Sequence, residues 1–290
     1  MIVDYNEHQI YTGIDFANVR EFGAKGDGET DDYQAIQSAI DSQRTTGGTV
    51  FFPTGTYLIS QALKVYSKQT VNLNGSTILQ GASINNLMRG YCTSDIGAYN
   101  GPHDIVIENG TFDGGAYTTS NTLLGFCHGK NITIRNCIFK NAYGSYHNIE
   151  INSSKYVLIE NCIHEGSRRT GDYAHQGEMI QFQYYLNNNG WPWADGAADG
   201  TPCYMCEVRG CHFYDGVAAP AIGNHGGAEE FIKIHDCTFE GVTPLNGRKV
   251  IDFGGASNVY AYDNTFENCG TAIGTNVTGY NNLIEGVFVP

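Results

Sequence analysis

The sequence carries little positive charge. Among its 290 residues, 16 Lys and Arg stand against 30 Asp and Glu, which gives a formal net charge of −14. A groove for DNA or RNA needs a basic footprint, so we expect no nucleic-acid partner. The same acidity disfavours a strongly anionic ligand, unless local Arg or Lys side chains or a bound cation compensate for it.

Long apolar runs are also missing. No stretch is long and apolar enough to cross a bilayer, so we expect no membrane insertion. Residues 1–7 contain neither a basic region nor an apolar core. This start therefore predicts no signal peptide and synthesis in the cytoplasm.

Cysteine is plentiful, but its pattern fits neither a disulfide scaffold nor a metal site. The nine cysteines are odd in number and irregular in spacing. We predict buried free thiols that act as small apolar side chains, which implies synthesis in a reducing compartment. Cys203 and Cys206 have half of a zinc-site spacing, but Cys206 belongs to an apolar column. The run 195–200 lacks the full calcium-loop pattern.

A short strand-like segment recurs along the chain. Inside each copy apolar residues alternate with others, which predicts a strand with one buried face. Successive copies lie 27, 25, 49, 26 and 27 residues apart, and no helical pattern separates them, which excludes βαβ units. The positions used to measure these intervals are Gly110, Cys137, Cys162, Cys211, Cys237 and Asn264.

A fixed period of about 26 residues predicts stacked coils. The fold class that fits is all-β, a single-stranded right-handed parallel β-helix in which inward residues form ladders about 4.8 Å apart. We predict an N-terminal arm over residues 1–17 and one β-helix domain over 18–290. Its capping segment, 18–60, contains an α-helix that begins after an N-cap at Thr30 and covers the open end of the stack.

The cap carries a specific motif. Residues 18–57 contain N-V-x-x-F-G-A-x-G-D-G, then D-D, A-I-Q-x-A-I, G-G-T-V and P-x-G-x-Y. This run resembles the N-terminal cap of the pectate-lyase-like β-helix superfamily, which includes phage tailspike and appendage depolymerases and alginate epimerases. The resemblance implies a polysaccharide substrate and action on a virion tail or outside the cell. It also allows a homotrimer, because tailspike-like relatives are often trimers, and it leaves the reaction open.

One interval is longer than the others. The 49 residues between Cys162 and Cys211 exceed one coil by about 24. The excess forms two insertions, at 166–176 and 184–202, on either side of a single strand. Long loops on a rigid scaffold are common places for function.

The insertions contain candidate substrate-binding residues. Arg168 and Arg169 would bind a carboxylate or phosphate, or would belong to an ordinary solvated loop. Trp191 and Trp193 would stack on sugar rings together with Tyr184, or would pack the loop onto the sheet.

The strand between the insertions belongs to a second column of strands. Because Ile149 and Ile151 point inward in one of these strands, Glu150 points outward. The equivalent positions on other coils are Gly125, Gln181, Gly223 and Asp252. We predict that this outer face is either the active site or a solvated surface. Candidates for binding sugar hydroxyls beside it are Gln181, Gln183 and His147.

Ionisable residues near this face are the candidate catalytic groups. Glu150 and Glu178 come from adjacent coils, within the span of about 5–9.5 Å used by paired-carboxylate glycosidases. Strict alternation would turn Glu178 inward, so the pair requires an irregular start of its strand. The alternative dyad is His225 oriented by Asp252. His175, three residues before Glu178, is a further candidate.

These features predict a polysaccharide-degrading enzyme, a glycoside hydrolase that acts on a bacterial surface or extracellular glycan and is associated with a phage or prophage tail. Hydrolysis is favoured because a lyase acts on uronates, and the acidic chain offers little to neutralise them. The alternatives are a lyase or epimerase of a uronate-containing glycan, or a non-catalytic glycan-binding adhesin. We expect no metal or cofactor, except a calcium ion if the enzyme is a lyase. Polygalacturonase signatures are absent.

Overall fold

A computed structural model shows the chain as a stack of coils. It describes residues 16–117, 121–143, 147–166, 177–186 and 196–289, with the backbone of the strands Ile2–Val3 and Gln9–Ile10 in addition. Within these ranges the chain has one α-helix, Tyr33–Ser42, and one 3-10 helix, Val19–Phe22. Neither helix is long and apolar enough to span a bilayer.

Strands of successive coils pair in parallel, while two short pairs near the ends of the chain, Ile2–Val3 with Gln9–Ile10 and Asn282–Ile284 with Val287–Val289, are antiparallel. Ile132 lies opposite Val157, and Val208 lies opposite Ile234. This is the right-handed parallel β-helix that the period predicts. One side of the stack is a seven-stranded sheet, named here the site sheet. Its strands are Leu63–Val65, Asn86–Gly90, Thr122–Cys127, Ile149–Asn152, Ile180–Gln183, Ile222–Gly223 and Ile251–Asp252.

The remaining strands complete the coils. Most of them form one continuous network of pairings around the stack. They are Phe16–Asn18, Asp27–Asp31, Gly48–Phe51, Thr56–Ile59, Gln69–Asn72, Thr77–Gln80, His103–Asp113, Lys130–Lys140, Lys155–Glu160, Ile163–Glu165, Tyr204–Arg209, His212–Tyr214, Glu230–His235, Thr238–Glu240, Ser257–Tyr262, Thr265–Glu267, Val277–Tyr280, Asn282–Ile284 and Val287–Val289. A further short pair joins Val217–Ala218 to Thr243–Pro244.

The core consists of ladders of similar side chains, as the repeat predicts. Phe213, Phe239 and Phe266 stack with centroids 4.9 and 4.7 Å apart. The cysteines of the repeat form a neighbouring column. Cys137, Cys162, Cys211 and Cys237 are all buried and carry no disulfide, which confirms the predicted thiols. Burial of these ladders on every coil is what holds the stack together.

The cap helix covers the first coils through Ile36 and Ile40, which are fully buried. Its start differs from the prediction. Thr30 lies in the strand Asp27–Asp31, and the helix begins after Asp32. The Asp32 carboxylate accepts hydrogen bonds from the backbone amides of Lys25 and Gly26, so it ties the helix to the preceding turn.

The first coil also begins slightly earlier than predicted. Phe16 and Ala17 pair with Thr49 and Val50 in the β-helix, so they belong to the coil and not to an arm that ends at residue 17. The strand register fixes this boundary, because pairing with the next coil satisfies the backbone of the segment.

Candidate active site

The predicted column of outward residues is present on the site sheet. Glu150 lies opposite Gly125 on one neighbouring strand and opposite Gln181 on the other. Gln181 lies opposite Gly223, which in turn lies opposite Asp252. These side chains are less exposed than those of a solvated face would be. Glu150 and Gln181 are fully buried, and Asp252 is partly buried. Alternation sets the direction of a side chain but does not decide what covers it.

Neighbouring chain segments pack on the site sheet. The ring of His128, which follows the strand Thr122–Cys127, contacts two backbone carbonyl oxygens: Nδ1 lies 2.7 Å from Ala98 O and Nε2 lies 2.8 Å from Ala197 O. Ala197 belongs to the second insertion, in the part from residue 196 onward that the structure describes. A side chain at Gly196 would collide with His128 and Cys127, which shows how closely this segment approaches the sheet.

Glu178 is the centre of the site. It lies two residues before the strand Ile180–Gln183, so it is outside the regular alternation, as the paired-carboxylate hypothesis requires. Its carboxylate is fully buried and reaches two later coils. Oε2 accepts a hydrogen bond from Nε2 of His225 at 2.8 Å, and Oε1 accepts one from Nη2 of Arg248 at 2.9 Å.

Arg248 joins three parts of the site. Besides Glu178, its Nη2 donates to the backbone oxygen of Asn224 at 2.9 Å. Its Nε donates to Oδ2 of Asp252 at 2.5 Å. About a fifth of the Arg248 side chain is exposed (22%), and the same holds for Asp252 (21%). The guanidinium therefore fixes two carboxylates while keeping one edge towards solvent.

His225 is the most exposed member of the ion-pair network, with 27% of its side chain accessible. Gln181 lies against its ring, with the amide nitrogen 3.1 Å from Nδ1 and 3.2 Å from Nε2. Gln183 accepts from the backbone N–H of His225 at 3.0 Å and donates to Gly226 O at 3.0 Å. Two glutamines of one strand thus position a histidine that lies in the next coil.

The network separates the proton states of its members. Burial alone would raise the pKa of Glu178, but the charges of His225, His147 and Arg248 and the hydrogen bond from His225 outweigh it and hold the pKa at about 2. Burial opposes protonation of His225, but the Glu178 carboxylate raises the pKa of the imidazole above its usual value. The pair is therefore a carboxylate and an imidazolium at mildly acidic pH.

Glu150 behaves in the opposite way. Burial raises its pKa to about 8, against the lowering effect of hydrogen bonds from Asn152 and Thr122. Asn152 Nδ2 donates to Oε1 at 3.0 Å, and Thr122 Oγ1 lies 3.2 Å from Oε2. A carboxyl that is protonated at neutral pH thus lies near an ionised one.

His147 closes the buried side of the site. Its Nδ1 donates to the backbone oxygen of Glu178 at 2.8 Å, and the same nitrogen is 3.7 Å from Glu178 Oε2. Burial lowers the pKa of His147 to about 4, so the ring is neutral near pH 7. Its role in the structure is to hold Glu178, and it is not exposed to a ligand.

Residues 16–191 match the family described as Rhamnogalacturonase A/epimerase, pectate lyase-like. The chain belongs to this family. The resemblance found in the cap is therefore confirmed, and the family description itself names enzymes that act on polysaccharides.

Three curated relatives illustrate the range of this family's neighbours. Plasmin and fibronectin-binding protein A of Streptococcus pneumoniae is 34% identical over 239 residues, 72% of this chain and 33% of the relative. Alginate lyase 7 of Azotobacter vinelandii is 37% identical over 123 residues, 39% of this chain and 14% of the relative. The pre-neck appendage protein of Bacillus phage phi29 is 28% identical over 202 residues, 56% of this chain and 22% of the relative. The chain thus spans a third or less of these relatives.

The fold agrees with a solved structure of the first relative. The crystal structure of the Streptococcus pneumoniae adhesin PfbA superimposes with a TM-score of 0.73 at 23% identity, over 93% of this chain and 80% of the adhesin chain. At 23% identity this similarity shows the pectate-lyase-like fold alone and does not indicate the reaction.

In this member of the family, the structure brings together some of the predicted site residues and separates others. Glu150, Glu178, Gln181, His147 and His225 cluster as described above. The predicted dyad of His225 with Asp252 is wrong in its pairing, because Arg248 binds Asp252 and His225 instead binds Glu178. The physical reason is charge: a guanidinium within reach competes for the carboxylate.

Tyr184 lies at the edge of the site sheet. Its backbone N–H donates to Oε1 of Glu229 at 2.8 Å, so the contact that the structure shows for it is structural. The other predicted residues of the insertions lie outside the described residues. They are Arg168, Arg169, His175, Trp191 and Trp193.

Sequence reasoning missed Arg248. It lies in the turn before Ile251–Asp252, outside every repeated position, and it is 70 residues from Glu178 along the chain. The available signal was its place four residues before Asp252, together with the scarcity of basic residues in an acidic chain. Among the described residues, the group of three side chains able to ligate one metal lies elsewhere, in the core at Cys162, His164 and Cys211.

Proposed function

We propose that the protein is a glycan-cleaving enzyme, a glycoside hydrolase, in which His225 is the proton-transfer group. The observation that carries the proposal is the 2.8 Å hydrogen bond between this partly exposed imidazole and the fully buried carboxylate of Glu178. A buried carboxylate both orients the ring and stabilises its protonated form, which is the arrangement that a general acid requires.

Gln181 supports proton transfer by His225. Its amide nitrogen faces the ring, and its Oε1 is buried without a hydrogen-bond partner among the described residues. A half-turn of the amide exchanges donor and acceptor. Gln181 therefore donates to the neutral imidazole and accepts from the imidazolium, so it accommodates both proton states.

The local charge balance favours hydrolysis over elimination. With His225 protonated, it and Arg248 are matched by the two carboxylates Glu178 and Asp252, and Glu150 is neutral near pH 7. A lyase acting on a uronate needs surplus positive charge to neutralise the substrate carboxylate. A neutral site suits an uncharged sugar ring, with Asp252 as the reachable carboxylate that activates water or stabilises the positive transition state.

The experiment is a panel of bacterial and plant polysaccharides assayed for two products, reducing ends and the absorbance of unsaturated sugars. We expect reducing ends without unsaturated product. His225→Gln should lower the rate by about 10²–10⁴. The matched control is His235→Gln, a histidine bonded to Glu207 and Asp236 on another part of the stack. Unsaturated product would favour a lyase, and equal rates for both variants would remove His225 from the mechanism.

A second candidate function is glycan binding without catalysis. It is favoured by the structural similarity to an adhesin and by the complete burial of Glu150 and Glu178. Binding to a glycan of the panel with no turnover, and with affinity unchanged in His225→Gln, would support it. Association with a phage tail is also part of the proposal and rests on the similarity to the appendage protein.

A further inference from the structure

The aromatic ladder of the core contains one histidine. His164 stacks between Phe139 at 5.0 Å and Phe213 at 4.7 Å, in a column that otherwise continues with phenylalanine. The ring is fully buried, and within the described part of the chain neither Nδ1 nor Nε2 has a hydrogen-bond partner. A buried polar group left unpaired destabilises the folded state, and phenylalanine at this position would avoid that loss. The exception therefore requires a physical explanation.

Two sulfur atoms lie beside this ring. Cys162 lies two residues before His164. Cys211 lies one coil later in the cysteine column that contains Cys162, and its Sγ is 3.4 Å from the backbone nitrogen of Cys162. One donor atom from each of the three residues lies within 4.8 Å of the other two. Bonds from a metal to sulfur and nitrogen are about 2.0–2.3 Å long, so two donors of one ion lie at most about 4.6 Å apart. Small side-chain shifts bring all three onto one ion.

We propose that Cys162, His164 and Cys211 bind a single copper(I) ion inside the β-helix. Cysteine sulfur and imidazole nitrogen are the ligands that this soft ion prefers. The cluster supplies three ligands in an apolar interior, whereas structural zinc takes four. The site is separate from the glycan site, which lies on the site sheet, and it departs from the sequence-based expectation of a metal-free chain.

The test loads the full chain with copper(I) under reducing, oxygen-free conditions. Loading is done during expression in copper-supplemented medium and, separately, by refolding with copper(I), because the interior is closed to solvent. A copper(I) chelator removes loosely held ion, and elemental analysis gives copper per chain. We expect about one copper per chain, with sulfur and nitrogen neighbours in X-ray absorption, and a raised unfolding temperature relative to the metal-free protein.

Two variants decide the assignment. His164→Phe restores the phenylalanine of the ladder and should fold with higher metal-free stability, yet hold no copper and show no copper-dependent rise in unfolding temperature. Cys237→Ala removes a thiol of the same column outside the cluster and should retain copper. The proposal is overturned if the unmodified protein holds no copper by either route, if it takes zinc in preference, or if His164→Phe binds as much copper as the parent.

Discussion

At the scale of single residues, the site depends on two buried carboxyl groups whose neighbours place them in opposite protonation states. Glu150 is protonated near pH 7, while Glu178 stays ionised because His225, His147 and Arg248 surround it. Two carboxyls one coil apart therefore differ in charge through their surroundings alone.

Glu150→Gln should stabilise the protein at high pH. The pKa of Glu150 in the folded protein, about 8, is above its ordinary value of 4.5. Its contribution to the free energy of unfolding is therefore fully present below pH 4.5 and is lost as the pH rises to 8. Gln keeps the hydrogen bonds to Asn152 and Thr122 without that loss. We expect the free energy of unfolding of the variant to exceed that of the parent by on the order of a few kcal/mol at pH 8, and by little at pH 4.5.

Denaturant unfolding at several pH values measures this difference. The control is Glu160→Gln, which alters an exposed ion pair with Arg209 and should change stability by about 1 kcal/mol or less at either pH. The outcome that would contradict the buried, protonated state of Glu150 is a stability difference between Glu150→Gln and the parent that does not grow from pH 4.5 to pH 8.

Glu178→Gln should lower the pKa of His225. The carboxylate is what raises that pKa against the effect of burial, so its loss returns the imidazole towards or below its ordinary value. Arg248 loses a buried partner as well, and we expect a stability loss of about 3–5 kcal/mol. An NMR titration of the His225 ring measures the pKa directly, and an unchanged value would mean that Glu178 does not control this histidine.

Acid should destabilise the protein through His147 and Glu178. The pKa of His147 is lowered from 6.5 to about 4, so its contribution to stability is present above pH 6.5 and is lost as the pH falls to 4. The pKa of Glu178 is depressed from 4.5 to about 2, which adds a loss between those values. Unfolding measured in the Glu150→Gln background, which lacks the opposing contribution of that carboxyl, should show stability falling as the pH is lowered from 6.5 to 3, and a flat profile would exclude both states.

At the scale of structural elements, the corners between strands show a repeated left-handed position. Asn131 and Asn258 occupy it with φ of 53° and 55°, which suits asparagine. Three intervening coils instead place large residues there, namely Tyr156, Met205 and Phe231, with φ between 51° and 56°. All three side chains are exposed.

Met205→Asn should therefore stabilise the protein. The side chain is exposed, so little packing is lost, and asparagine tolerates the left-handed backbone that costs other residues about 1–2 kcal/mol. We expect a gain of about 1 kcal/mol in thermal or denaturant unfolding. The reverse change in the same column, Asn131→Met, should cost a similar amount. A destabilised Met205→Asn would show that the exposed methionine contributes contacts of its own.

At the scale of the whole molecule, stability is passed from coil to coil. Each coil buries its ladder residues against the next, and the cap helix buries Ile36 and Ile40 against the first coils. A stack with contacts between neighbours opens from its ends before its middle.

Ile40→Ala should loosen the N-terminal coils selectively. Truncation of this fully buried side chain should cost about 2–5 kcal/mol. Hydrogen exchange should then show lost protection in Gly48–Phe51 and near-parental protection in the central strand Lys155–Glu160. Ile159→Ala, a truncation in that central strand, is the control and should reverse the pattern. Uniform loss of protection in Ile40→Ala would indicate that the stack unfolds as one unit.

The sequence by itself determined the coil, its period and the membership of each column. These follow from local alternation and from a constant coil length, so they could be read at Cys137, Cys162, Cys211 and Cys237 and at the row that contains Glu150. The family also followed, because the cap motif is contiguous in the chain.

Only the tertiary structure decided how the site is assembled. Glu178 binds His225 and Arg248, which lie 47 and 70 residues away in turns that follow no repeat. The burial of Glu150, the pairing of Asp252 and the orphaned ring of His164 likewise depend on what other segments bring against them. The alternation within one strand predicts which way its side chains point. Charge pairing and burial depend on contacts between coils, and the separation of two residues along the chain does not predict those contacts.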